Sequence, residues 1–369
     1  MDNRLNGLKV VLVGPIPPPA GGMANQTRKL RSFLIDEQCA CQLVATNAPY
    51  RPEWAGKLPG IRAVFRLFPY LYALNKACKG ADIMHIMANS GWSWHLFAAP
   101  AIAVARWNNL PVVVNYRGGY AREFFEKSWF WIEKTLKKTQ QVIVPSPFLQ
   151  DVFADWQIKA GVVPNVLDEQ LFAFKPKPDM SSKPHFIVAR NLEHIYDVAT
   201  AIHAFKMVLD KFPDATLSVA GTGPQLTMLQ QLVLSLNIEN KVTFTGRLNI
   251  EQMAALYHQS DISINPSMVD NTPNSVIESL ACGTPVVTTN VGGIPKLVTD
   301  GLDALMVNPQ QPKLMAEAIL KLMDDKLLRQ KLIKNGLHTT QKFHWQNVMQ
   351  ELTYHYQKAI DANRDGEHV

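Results

Sequence analysis

Two carboxylates, Asp270 and Glu278, flank a turn in the segment Asn265-Pro-Ser-Met-Val-Asp-Asn-Thr-Pro-Asn-Ser-Val-Ile-Glu. An apolar strand pattern ends at Asn265, and a helix is expected to start near Pro273. Thr272 would be its N-cap, and proline suits a first turn that needs no N–H. First-turn N–H groups and the helix dipole favour an anion such as a diphosphate. Glu278 falls in the second turn, on the face of Asn274 and Ser275. A carboxylate there can accept hydrogen bonds from ribose hydroxyls. The alternative is a capped core helix with a solvated glutamate, since helix caps are common.

Other residues offer matching chemistry. Arg190 ends a strand pattern, His185-Phe-Ile-Val-Ala189, where a guanidinium can grip a diphosphate at two points. A surface arginine is the competing reading. His85, in Asp82-Ile-Met-His-Ile86, is a candidate for catalysis or acceptor contact. A lone histidine among apolar residues is more often packed. Gly21 and Gly22 follow the first strand and would let backbone approach a ligand closely, or adopt positive φ. They do not make the Gly-x-Gly-x-x-Gly of a dinucleotide fold. That absence argues against an oxidoreductase with paired nucleotide-binding domains.

The elements that must hold these residues alternate in type. Strand patterns at 8–13, 82–86, 111–115, 141–144 and 161–163 are separated by helical patterns. After a polar, Pro-rich stretch the alternation restarts at 185–189, 215–220, 241–245, 261–265, 285–288 and 304–307. This predicts an α/β protein with doubly wound parallel sheets. In such sheets ligands bind beyond the carboxyl ends of the strands. A length of 369 residues suits two domains. The expected boundaries are 1–172, a linker at 173–184, 185–345, and a C-terminal helix over Trp345 to Ile360. Residues 346–369 then pack back on the first domain. Two such domains in tandem would face a cleft.

The segment from Pro266 to Val287 resembles the donor-site motif of family-4 retaining glycosyltransferases: Pro-Ser, an acid-x7-Glu pair, then Ala-x-Gly-x-Pro-Val-Val. Asp270 stands where the family has its first Glu. Val291-Gly-Gly-Ile-Pro-Lys296, Ala220-Gly-Thr-Gly-Pro224 and Val163-Pro-Asn165 are similar to further family segments. The resemblance is dense from 185 to 310 and thinner before that. It implies the GT-B fold and transfer of a hexosyl group from a nucleoside-diphosphate sugar with retention, without a metal or cofactor. Asp270 would contact the donor sugar. The backbone at Asn271 and Thr272, with Asn274 and Ser275, would fix sugar and phosphate, and Glu278 would hold the ribose. Gly21, Gly22, Arg190 and Gly221 would surround the diphosphate. Arg117, in Asn115-Tyr-Arg-Gly-Gly119, replaces the family's His and becomes a cation for the leaving or the acceptor phosphate. The family's Lys, five residues after the Arg, is here Ile195. Arg247, Lys296 or Arg117 are the compensating cations expected.

Composition narrows the partners. The first 175 residues carry a net charge of +8 and the remainder −2, within an overall +6. Arg62, Phe65, Arg66, Phe68, Tyr70, Tyr72 and Lys76 interleave cations with aromatics. Together these fit an anionic membrane surface, with ordinary helix packing as the alternative. No recognition helix or RNA motif is evident, so no nucleic acid is expected. The four cysteines (Cys39, Cys41, Cys78, Cys282) lack metal-ligand spacing and read as reduced thiols. No Asp-x-Asp metal motif occurs. With no secretory signal pattern and no spanning apolar run, the expected location is cytoplasmic or peripheral on the inner membrane. The expected substrates are a UDP- or GDP-sugar and a glycan or polyprenyl-diphosphate-linked acceptor, as in polysaccharide or O-antigen assembly. A non-catalytic nucleotide-sugar binder and a sugar phosphorylase of the same fold are the rival readings.

Overall fold

The computed structural model describes residues 5–18, 21–49, 54, 62–177 and 183–366. The chain divides into two compact units, Met1–Val166 with Trp345–Val369, and Leu167–His344.

The first unit holds a six-stranded, fully parallel sheet. In chain order its strands are β1 (Lys9–Gly14), β2 (Ala40–Ala45), β3 (Ile83–Ala88), β4 (Val112–Tyr116), β5 (Gln141–Val144) and β6 (Ala160–Val162), arranged β2-β1-β3-β4-β5-β6. The sequence reading missed β2. Its residues are mostly half-exposed, as befits an edge strand, so it lacks the continuous apolar run of its neighbours. β3 and β4 are buried on both faces at every position. One face packs Val11, Met84, Ile86, Val112 and Val114 against α2 (Arg62–Cys78), α3 (Ala99–Trp107) and α4 (Ala121–Leu136). The other packs Leu12, Ile83, Val113 and Ile143 against α1 (Gly22–Asp36) and the last helix, α13 (Trp345–Asp365). Val348, Leu352 and Tyr356 form the buried stripe of α13. This helix runs through Asp365, past the expected end at Ile360. Residues 367–369 lie outside the described residues.

The second unit repeats the plan. Its strands β7 (His185–Ala189), β8 (Thr216–Ala220), β9 (Val242–Gly246), β10 (Ile262–Asn265), β11 (Val286–Thr289) and β12 (Leu305–Val307) are parallel and ordered β12-β11-β10-β7-β8-β9. The order reverses between β7 and β10, which makes their carboxyl ends the topological switch point. One face carries α6 (Val198–Leu209), α7 (Leu226–Ser235) and α11 (Pro312–Asp324). The other carries α8 (Ile250–Gln259) and α9 (Asn274–Ala281). The Pro-rich stretch from 173 is docked at its start. Lys177 Nζ donates to the Tyr257 and Ser260 carbonyls at 2.9 and 2.5 Å and to Thr284 Oγ1 at 2.6 Å. Residues 178–182 of the expected linker lie outside the described residues.

Candidate functional site

The second unit places Arg190 directly after β7 and Asn265 at the end of β10, on the two strands that flank the switch point. Arg190 Nε donates to Asn265 Oδ1 at 2.9 Å and to Ser267 Oγ at 3.1 Å, and Nη2 donates to Ser267 Oγ at 2.9 Å. The Tyr196 ring lies 4.6 Å from the guanidinium carbon, a cation–π contact. Arg190 also pairs with Asp270, and only about a tenth of either side chain is exposed. The surface-arginine reading is therefore corrected. Burial lowers the Arg190 pKa to about 10, which still leaves it cationic at neutral pH.

Each of these partners is itself held. Asn265 Nδ2 donates to Thr288 Oγ1 at 2.9 Å, and Thr289 Oγ1 donates to the Ser267 carbonyl at 2.6 Å. The ends of β7, β10 and β11 are thus cross-linked by side chains. Ile195, where the resemblance calls for a lysine, uses its backbone: its carbonyl accepts from Met268 N at 2.8 Å and pins the loop after β10. Arg247 and Lys296 are exposed, after β9 and in the short helix after β11.

Glycines set the approach of these loops. A Cβ on Gly221 (φ +151°) would overlap the Arg190 carbonyl, and one on Gly292 (φ +54°) would overlap the Asp270 carbonyl. Gly293 N donates to that same Asp270 carbonyl at 3.0 Å. Gly221 therefore packs beneath the arginine segment, and the Gly-Gly turn seats the aspartate. Neither role is legible without the fold.

α9 begins at Asn274, with Pro273 as N-cap and no side-chain cap. Thr272 does not cap it; its hydroxyl faces Asn271 Oδ1 at 3.5 Å. Proline in the cap position contributes no acceptor side chain, so the first-turn N–H groups gain none from it. By contrast α8 carries a full capping box, Asn249 with Gln252. Ser275 Oγ, in the first turn, is buried without a hydrogen-bond partner among the described residues. Glu278 lies one turn further on. Burial first, and the Glu278 charge second, hold the Tyr257 phenol well above its usual pKa.

In the first unit a polar chain crosses the sheet. Asn165 Oδ1 accepts from Arg117 Nη1 at 2.5 Å, and Asn115 Oδ1 accepts from Arg117 Nε at 3.1 Å. Asn115 Nδ2 lies 3.1 Å from His85 Nε2, and His85 Nδ1 lies 2.8 Å from Tyr356 Oη. A guanidinium only donates, so it fixes the orientation of the Asn115 amide. Asn115 then donates to Nε2, and the His85 proton sits on Nδ1. His85 is fully buried, and burial, then the Arg117 charge, push its pKa down to about 3. His85 is thus a neutral, doubly bonded residue, as in the packed reading of a lone histidine. Sequence reasoning missed Asn115, Asn165 and Tyr356 as its companions, although polar residues inside the apolar runs of β3 and β4 were the available signal.

Gly21 is the N-cap of α1 in an extended conformation, and neither Gly21 nor Gly22 has positive φ. A Cβ at either would meet nothing within 4 Å, so packing does not require these glycines. Among the described residues no cluster of three or more His, Cys, Asp or Glu forms. No described helix is long and apolar enough to cross a membrane.

Comparison with known proteins is consistent across the chain. Residues 170–339 match the model for glycosyl transferases group 1, and residues 20–171 match glycosyltransferase family 4. Glycogen synthase of Mycobacterium tuberculosis is 25% identical over 266 residues, covering 69% of this chain and 64% of that protein. The chain thus spans under two thirds of that curated relative's length. Among solved structures, sucrose-phosphate synthase from Thermosynechococcus elongatus superposes with a TM-score of 0.72 at 20% identity, covering 96% of this chain and 100% of that one. Anabaena Alr3699/HepE, solved in complex with UDP, gives 0.73 at 16% identity, covering 94% and 99%. At these identities the structures establish the GT-B fold.

Proposed function

The chain belongs to the family-4, group 1 glycosyl transferases, and from that premise we propose that it transfers a hexosyl group, with retention, from a UDP-sugar to a phosphorylated or lipid-linked glycan acceptor. The observation that carries this reading is the cluster at the switch point of the second unit: a buried arginine, a carboxylate seated on a Gly-Gly turn, and a helix start without a side-chain cap. Such a cluster suits a diphosphate with a sugar beside it. UDP in the HepE complex supports uridine as the base.

In the reaction the acceptor oxygen bonds to the sugar's anomeric carbon on the face from which the diphosphate leaves. The bond from that carbon to the phosphate oxygen breaks, the departing diphosphate keeps the electron pair, and the acceptor's proton passes to it. Arg190 and the α9 N–H groups hold the growing charge without reorganising, so no metal is called for. Glu278 holds the ribose hydroxyls, and Asn271 and Asn274 offer backbone near the phosphates. Arg117 is the cation for a substrate phosphate, oriented by two asparagines.

The acceptor side rests on charge and exposure. α2 presents Phe68 and Tyr72 one turn apart, 68% and 73% exposed, and α4 presents Phe130 and Trp131. Within a unit of positive charge, these favour an anionic lipid surface on the cytoplasmic side, where a polyprenyl-diphosphate-linked glycan of polysaccharide or O-antigen assembly resides.

Calorimetric titration with UDP, GDP, ADP and dTDP tests the donor site. Wild type is expected to bind one of them, and Arg190→Ala and Glu278→Ala to lose it. Binding unaffected by both substitutions would remove the site from the argument. With a sugar donor and acceptor present, release of nucleoside diphosphate identifies a transferase, whereas a phosphorylase would release sugar phosphate.

A further inference from the structure

Arg190 and Asp270 face each other while nearly buried. A buried guanidinium without a counter-charge is costly, and the carboxylate supplies one. Nε is committed to Asn265 and Ser267, Nη2 is shared between Ser267 and Asp270, and the Tyr196 ring covers one face. A phosphate drawn to Nη2 takes the direction Asp270 now occupies. The Asp270 backbone does not need to move for this. Its carbonyl is fixed by Gly293 N at 3.0 Å, while the only side-chain bond among the described residues to be given up besides Arg190 is that of Oδ1 with Asn271 N at 3.0 Å. Rotation of a short side chain is enough.

We propose that Asp270 is a resident anion of the diphosphate subsite, and that it sets the discrimination between a nucleotide sugar and the bare nucleoside diphosphate. This rests on the donor-site reading above. Without donor, the carboxylate neutralises Arg190. A nucleotide sugar displaces it and repays the displacement, because the sugar hydroxyls donate hydrogen bonds to the freed carboxylate. A bare nucleoside diphosphate brings phosphate oxygens and no hydroxyls at that place. It leaves Asp270 buried, unpaired and beside like charge, which is unfavourable on every count. After transfer the same asymmetry returns Asp270 to Arg190 and expels the spent nucleotide. The residue that helps hold the sugar thereby also limits product inhibition.

Titration of UDP and UDP-glucose into wild type, Asp270→Asn, Asp270→Ser and the charge-retaining Asp270→Glu tests this. Both neutral variants are expected to bind UDP at least tenfold more tightly than wild type. Their preference for UDP-glucose over UDP should shrink, while Asp270→Glu stays near wild type. The thermal upshift caused by UDP should be larger in the neutral variants, a readout that a folding defect alone does not produce. Two neutral variants of different size guard against one that folds badly. UDP binding that is unchanged or weaker in both would reduce the contact to a structural ion pair and overturn the proposal. If wild type and all variants ignore UDP, GDP, ADP and dTDP alike, the donor-site reading itself fails and the proposal falls with it.

Discussion

Tyr356 Oη stands 2.8 Å from His85 Nδ1, joining the chain's last helix to a central strand of the first unit's sheet. The two residues are 271 positions apart. With the His85 proton on Nδ1, the tyrosine oxygen is the acceptor. Tyr356→Phe leaves a buried N–H without a partner, which costs about 1–3 kcal/mol. Urea melts monitored by tryptophan fluorescence should show a lower midpoint with an unchanged slope. Donor binding, which the second unit carries in this reading, should persist. Loss of donor binding with intact stability would instead place Tyr356 in the site.

His85 also predicts a direction of pH dependence. Its folded pKa is about 3 against an ordinary 6.5, because burial and Arg117 disfavour the imidazolium. Between these values the unfolded chain binds more protons than the folded one, so stability rises with pH there. Stability is therefore full above pH 6.5 and declines as pH falls toward 3. His355, lowered to about 4 chiefly by burial, adds to the same slope. His85→Gln should flatten the decline between pH 6 and 4 in thermal melts. An equal slope in the variant would show that His85 does not carry it.

Gly292 and Gly301 separate two costs of replacing a glycine. Both have positive φ, +54° and +66°, but only Gly292 lies against another chain segment, the Asp270 carbonyl. Gly301→Ala should lose about 1 kcal/mol from its left-handed backbone alone. Gly292→Ala bears that cost and must also push Asp270 off its seat. Its affinity for nucleotide sugar should fall at least tenfold, while Gly301→Ala binds as wild type. Equal binding in both would mean that the Gly-Gly turn does not position Asp270.

Much of this architecture is written in local pattern. Eleven of the strands were visible because buried parallel strands are continuous apolar runs, and each is short and bounded by turn residues. β2 escaped because an edge strand needs only half of that pattern. Arg190, Asp270 and Glu278 could be picked out from type and spacing. Their relationships could not, because Asn265, Ser267 and Gly292 meet them only once β7, β10 and β11 align. The N-cap was misplaced by one residue because Thr272 is the better capping type, and the chain uses Pro273 instead. His85 posed a similar choice: a polar residue in an apolar run marks either a site or a satisfied core group, and its partners could not be read from the sequence.

Ser275 tests whether α9 begins at a ligand. Its Oγ is buried and has no partner among the described residues, so Ser275→Ala removes no hydrogen bond within the protein. Stability should stay within about 0.5 kcal/mol of wild type or rise slightly. If the hydroxyl serves the donor phosphate or sugar, affinity should fall roughly tenfold, about 1.4 kcal/mol. Calorimetry and a thermal melt on the same sample check both halves. Unchanged affinity would leave the hydroxyl without a donor role.

The exposed aromatics of the first unit make a different kind of demand. Phe68 and Tyr72 project from α2, and on α4 the Lys134 ammonium sits 3.8 Å from the centre of the Phe130 ring. An aromatic ring beside a cation suits the headgroup level of a bilayer, where the ring enters the acyl boundary and the charge meets anionic lipid. Vesicles rich in phosphatidylglycerol should therefore sediment the wild type, and neutral phosphatidylcholine vesicles should not. The double variant Phe68→Ser, Tyr72→Ser should lose at least tenfold in vesicle affinity, and raised salt should weaken the wild type, since each basic residue near the surface contributes about 1 kcal/mol that ions screen. Turnover with a soluble acceptor analogue should be unaffected by the substitutions. Wild type that ignores anionic vesicles would return these side chains to the ordinary surface and leave the acceptor to be sought among soluble glycans.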